Sequence, residues 1–113
     1  MKLTITTAYE PEFPLAPTAV TGERVTFLRV DPKNPAWFFG RDARGIEGFF
    51  PCAWFTIDER AQTAVAGRAY AAAELRVAAC DVVTLEERHG GWLFVRTADG
   101  RCGWIPEDRA AAG

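Results

Sequence analysis

Apolar and polar positions alternate in short runs along the chain. In RVTFLRV (Arg24–Val30) the alternation sets Val25 and Phe27 on one face, and in DVVTLEE (Asp81–Glu87) it sets Val83 and Leu85 there. WLFVRT (Trp92–Thr97) alternates in the same way. A period of two is the mark of a strand with one buried face. Between such runs, DARGIEG (Asp42–Gly48) and TADGRCG (Thr97–Gly103) place Asp, Ala and Gly between apolar flanks, which is a hairpin signal. No segment sustains a helical period with caps. The alanine-rich AYAAAELRVAA (Ala69–Ala79) favours helix by propensity, but the repeat described next places it in a loop that leads into a strand. The expected fold class is all-β.

The chain repeats itself. AWFFGRDARGIEGFFPCAWF (Ala36–Phe55) lies over GWLFVRTADGRCGWIPEDRA (Gly91–Ala110) at a constant offset of 55, matching Trp37 with Trp92, Gly48 with Gly103 and Pro51 with Pro106. Upstream, GERVTFL meets CDVVTLE at offset 58, and Tyr9 meets Tyr70 at offset 61. Each change of three residues falls in a predicted loop, where insertions are tolerated. The reading is two units, residues 1–58 and 63–113, joined by a linker at about 59–62. Units this small lie near the lower limit for an unaided core, and closing the sheet on itself removes its unpaired edges.

Alternation also sorts the aromatic residues. Phe38 and Gly40 fall on the inner face of their strand, which leaves Trp37 pointing outward; Leu93 and Val95 fall on the inner face of theirs, which leaves Trp92 outside. An outward tryptophan at the same place in both units is the main functional signal, because large exposed aromatic side chains mark contact sites.

Composition narrows the function. Apolar residues make up 49% and charged residues 25%, a globular profile. The net charge of −2 and pI of about 5.4 leave no basic stripe for phosphates, so nucleic acid is not an expected partner. MKLTITTAYEPEF lacks the apolar run of a secretory signal, and no stretch approaches the roughly 18 apolar residues of a membrane span. The expected location is the cytoplasm, with no membrane partner. Cys52, Cys80 and Cys102 have no C-x-x-C spacing and His89 is the single histidine, so no disulfide framework, metal or cofactor is expected. Each cysteine is expected as a small buried or half-buried apolar residue. A Cys52–His89 dyad is the one catalytic pairing on offer, and no enzyme is expected.

The segments GERVTFL…AWFFGRDARGIEGFFPCAWF and CDVVTLEERHGGWLFVRTADGRCGWIPEDR resemble tandem Src homology 3 (SH3) domains, of the bacterial SH3-like type. The pattern, read on the first segment, is a glycine and acid before a strand, a Trp-aromatic-x-Gly-Arg strand and a Gly-x-Phe-Pro ending; the second segment fits it nearly as well. The resemblance implies two tandem five-stranded SH3-like barrels and a proline-rich peptide ligand. It implies a first groove of Tyr9, Glu10, Glu12, Trp37, Pro51 and Trp54, with the two glutamates and Asp31 selecting a basic ligand residue. It implies a second, weaker groove of Tyr70, Trp92, Pro106 and Arg109, where arginine stands in place of the family's tyrosine and Glu74 is the one acid of the preceding loop. Cys80 stands where the family has glycine, so a positive φ there is expected to be strained.

Two readings of function follow. One is a module that binds a protein or proline-rich peptide; the other is an assembly protein whose aromatic faces pack between the barrels or in a homodimer. YEPEFPLAP (Tyr9–Pro17) has prolines at 11, 14 and 17, the period of polyproline II. It serves either as one wall of the first groove or as an internal ligand.

Overall fold

The computed structural model describes residues 1–11 and 16–112. Its strands are β1 (Lys2–Ile5), β2 (Thr18–Ala19), β3 (Arg24–Val30), β4 (Trp37–Arg41), β5 (Glu47–Pro51), β6 (Phe55–Asp58), β7 (Thr63–Ala66), β8 (Tyr70–Ala71), β9 (Val82–His89), β10 (Trp92–Thr97), β11 (Cys102–Pro106) and β12 (Ala110–Ala112). Two single 3-10 turns, Cys52–Trp54 and Glu107–Arg109, are the only helical elements among the described residues, and none is long and apolar enough to cross a membrane. The alanine-rich segment forms β8 and isolated bridges at Glu74 and Val77, so the repeat outweighs local propensity there.

The strands make two five-stranded sheets, β11-β10-β9-β1-β12 and β5-β4-β3-β7-β6, with a separate β2-β8 pairing. The all-β expectation holds; the sheets are not closed barrels. The chain divides into a split unit, Met1–Pro14 with Ala73–Gly113, and a continuous unit, Leu15–Ala72. The division expected at 59–62 is therefore corrected. Those residues form the turn of the β6–β7 hairpin, in which Asp58 Oδ1 accepts a hydrogen bond from Ala61 N (3.1 Å).

The repeat explains this division. In each sheet the third, second and first long strands of one repeat are followed by a short strand and then by the last strand of that repeat. The short strands have changed places. β1, from the first repeat, pairs with β9 and β12 of the second, and β7, from the second repeat, pairs with β3 and β6 of the first. The registers coincide under the repeat offsets: Leu3 faces Val83 and Ala112, and Ala64 faces Val25 and Ile57. A β-bulge follows Phe27 in β3 and Leu85 in β9, at matching places.

Two physical terms favour the exchange. A four-residue connection closes β6 onto β7 locally, at a small loop-closure cost. Side-chain volume then sorts the strands. The continuous unit has an aromatic core: Phe38 stacks on Phe50 (5.1 Å) and meets Phe27 (5.2 Å) and Phe55 (5.4 Å). Its short strand contributes only Ala64 and Ala66, both buried. The split unit has an aliphatic core of Leu75, Val77, Val83, Leu93, Val95 and Ile105, and its short strand adds Leu3 and Ile5. Small side chains fill the space beside rings, and large aliphatic ones fill the space beside Val and Leu, which close packing requires.

Gly40 bears out the crowded inner face: a Cβ there would lie 2.4 Å from Thr26 O and 3.0 Å from the Phe38 ring. Leu93 and Val95 are buried as expected. Cys80 has φ +75°, matching Gly22 at +83° in the other repeat, so the expected strain is present.

Candidate functional site

The continuous unit brings Trp37 opposite Pro51 across β4 and β5, and the 3-10 turn that follows carries Trp54. Tyr70 meets Trp54 edge to face (5.6 Å, 87°) and donates its hydroxyl to Phe49 O (2.8 Å). The Arg68 guanidinium lies 3.7 Å from the centroid of the Trp54 ring. The set is closed to solvent: Trp37 is 6% exposed, Trp54 7% and Tyr70 4%, with Pro51 fully buried. The outward, solvent-facing Trp37 is thus corrected. Alternation assigns a side chain to a face, but it does not say whether that face is covered.

The split unit assembles the corresponding set at the partly exposed surface. The β10–β11 hairpin places Trp92 opposite Pro106, and the next 3-10 turn delivers Arg109. Beyond β1, Thr6 N donates to Arg109 O (2.7 Å), and a two-bond bridge between Tyr9 and Val77 (2.9 and 3.1 Å) fixes Tyr9. Tyr9 then meets Trp92 edge to face at 6.3 Å and 78°. Arg109 stacks over Tyr9 (5.3 Å) while its Nη1 donates to Ala8 O (2.7 Å). Tyr9, Trp92, Pro106 and Arg109 are all half-buried, neither sealed in the core nor freely exposed.

The two tyrosines have therefore traded sets. Tyr9 stands with Trp92, Pro106 and Arg109 rather than with Trp37, and Tyr70 stands with Trp54 rather than with Trp92. The cause is the strand exchange, because each tyrosine follows its short strand into the other repeat's sheet.

Two of the three expected acidic selectors have partners. Glu10 pairs with Arg76 (2.5 Å) and Asp31 accepts from Lys33 N (3.0 Å). Glu12 and Pro14 lie outside the described residues. Glu74 Oε2 is buried with no hydrogen-bond partner among the described residues. Pro17 is buried and packs on Gly48, where a Cβ would approach its ring to 2.7 Å, so it belongs to the packing of the continuous unit. Among the described residues no group of His, Cys, Asp and Glu could hold a metal ion. The expectation of buried or half-buried cysteines holds for Cys52 and is corrected for Cys80 and Cys102, which are exposed in turn and hairpin positions. Burial pushes the Cys52 thiol above its ordinary pKa.

Sequence reasoning does not single out Asp42, Arg68, Arg76 or Arg88. Asp42 is the buried charged residue of the continuous unit and accepts from Thr18 N (3.1 Å), Arg44 N (2.9 Å), Ile46 N (3.0 Å) and the Arg44 guanidinium (2.8 Å). Burial alone would raise its pKa. The hydrogen bonds from Ile46, Arg44 and Thr18 outweigh that and hold the carboxyl below its usual value. An Asp opening a hairpin turn is the signal that could have found it. The partners of the three arginines come from distant segments, and spacing along the chain does not show them.

A family model described as the bacterial dipeptidyl-peptidase SH3 domain matches residues 76–109. The match supports an SH3-like domain. It falls within the split unit and takes in Trp92, Pro106 and Arg109. No curated protein and no solved structure matches the chain. An SH3-like domain suggests a protein-binding module.

Proposed function

We propose that the chain is a non-enzymatic peptide-binding module of two SH3-like repeats, with its ligand groove on the split unit at Tyr9, Trp92, Pro106 and Arg109. One observation carries this reading: the Tyr9–Trp92 pair stays half-exposed beside Pro106, while its counterpart around Trp37 is buried. Flat aromatic faces beside a proline suit a stiff, extended, proline-rich segment, which loses little entropy on docking. The family match takes in three of these residues, Trp92, Pro106 and Arg109.

The burial of Trp37, Trp54 and Tyr70 assigns the continuous unit's aromatic set to packing rather than ligand capture. A catalytic Cys52 is disfavoured, because a thiol with a raised pKa is a poor nucleophile at neutral pH.

The test is a titration with blocked proline-rich peptides followed by tryptophan fluorescence. Trp92→Ala should lose about 2 kcal/mol or more of binding, as expected for a central aromatic anchor. A folded Trp92→Ala that binds with unchanged affinity refutes the proposal.

A further inference from the structure

Resting on that reading of the groove, we infer that its ligand is an extended segment carrying acidic side chains, the reverse of the basic segment that the resemblance implies. The argument begins with how the groove's charges are spent. Glu10, the acid beside Tyr9, is bound to Arg76 (2.5 Å), and Glu107, the acid after Pro106, is bound to Arg88 (2.9 Å). A basic ligand residue would compete with Arg76 for Glu10 and with Arg88 for Glu107.

Arg109 is ion-paired too, but it is also held by its stacking on Tyr9 and has more donors than partners. Its Nη1 is spent on Ala8 O (2.7 Å) and its Nε on the largely exposed Asp108 (3.3 Å). Nη2 has no partner among the described residues. Stacking on Tyr9 and the bond to a backbone carbonyl hold the guanidinium in place, so little conformational freedom remains to be lost when an anion arrives. A fixed guanidinium with donors to spare can donate to a carboxylate in fork geometry. The side chain is about one-third exposed, at 33%, which leaves it open to a ligand and only partly screened by water.

The continuous unit repeats the motif in its buried set, where the Arg68 guanidinium lies over Trp54, the residue that corresponds to Arg109 in the repeat. A cation stacked on an aromatic face is therefore a property of both sets, and in the split unit it stands beside the half-exposed pair.

The experiment uses the full chain and three peptides of one proline-rich sequence, blocked at both ends, carrying two Glu, two Arg or two Gln at the same positions. The Glu peptide should bind about ten-fold more tightly than the Arg peptide at low salt, with the Gln peptide between them. Added salt should weaken the Glu peptide most. Arg109→Glu should reverse the order. Arg109→Gln should erase the gap between the Glu and Gln peptides, and it decides the matter if the charge reversal fails to fold. Equal binding of all three, or tighter binding of the Arg peptide, overturns the inference and leaves the groove standing. Binding of none overturns the groove and the inference together.

Discussion

Tyr9 packs edge to face on Trp92 at 6.3 Å, although the repeat equates Tyr9 with Tyr70, and Tyr70 packs on Trp54 at 5.6 Å. Each ring meets the tryptophan of the repeat to which it does not belong in sequence. The half-exposed set is consequently built from two distant segments of the chain.

The two matching tryptophans should respond differently to truncation. Trp37 is 6% exposed, so Trp37→Ala should cost about 3–5 kcal/mol of stability. Trp92 is half-buried and keeps one ring partner, so Trp92→Ala should cost about 1–2 kcal/mol. Urea unfolding of the two variants measures the difference; equal losses would contradict the assigned burial.

Volume sorting of the short strands gives a second expectation. Leu3→Ala should leave a cavity in the aliphatic core and cost about 2–5 kcal/mol. Ala64→Leu should overfill the aromatic core and cost about 1–3 kcal/mol. Were Ala64→Leu neutral or stabilising, volume would not be what assigns each strand to its sheet.

Much of this is legible in the sequence, and what is not legible has two causes. The runs around Val25, Val83 and Leu93 became strands, the Asp-Ala-Gly stretches became hairpins, and Gly40 sits where a side chain would clash. Each depends on local pattern. The partner of a short strand does not. Leu3 and Ala64 present the same alternation and dock in the same register, so periodicity fits either pairing. Core volume and the short turn at Glu59–Gln62 choose between them. For that reason the sequence alone pairs Tyr9 and Tyr70 with the wrong sets; separately, alternation points Trp37 to solvent because a face can be named without knowing what covers it.

Cys80 occupies a left-handed position at φ +75°, where the other repeat has Gly22. A non-glycine residue there costs about 1–2 kcal/mol, so Cys80→Gly should raise stability by about 1 kcal/mol after the added freedom of the unfolded chain is counted. Thermal or urea unfolding reads this directly, and a less stable Cys80→Gly would contradict it.

The Asp42 clamp predicts a pH dependence. Its folded pKa is depressed below the ordinary 3.8, so its contribution is fully present above that value and is lost as pH falls through the lower, folded one. Asp42→Asn should cost about 2 kcal/mol at neutral pH, the worth of charged hydrogen bonds. The gap between Asp42→Asn and the parent should narrow only below the ordinary carboxylate pKa. A gap unchanged down to strong acid would show that the charge contributes nothing.

The exchange of short strands is the claim on which the groove depends, and engineered disulfides test it most directly. With Cys52, Cys80 and Cys102 replaced by serine, Thr4→Cys is paired either with Ala111→Cys, its observed neighbour on β12, or with Thr56→Cys, the residue it would face on β6 had the strands not been exchanged. Oxidation should close the Thr4–Ala111 bond within a single chain and leave the Thr4–Thr56 pair as free thiols. The opposite outcome, a bond to position 56 and none to position 111, would return Tyr9 to Trp37 and remove the basis of the proposed groove.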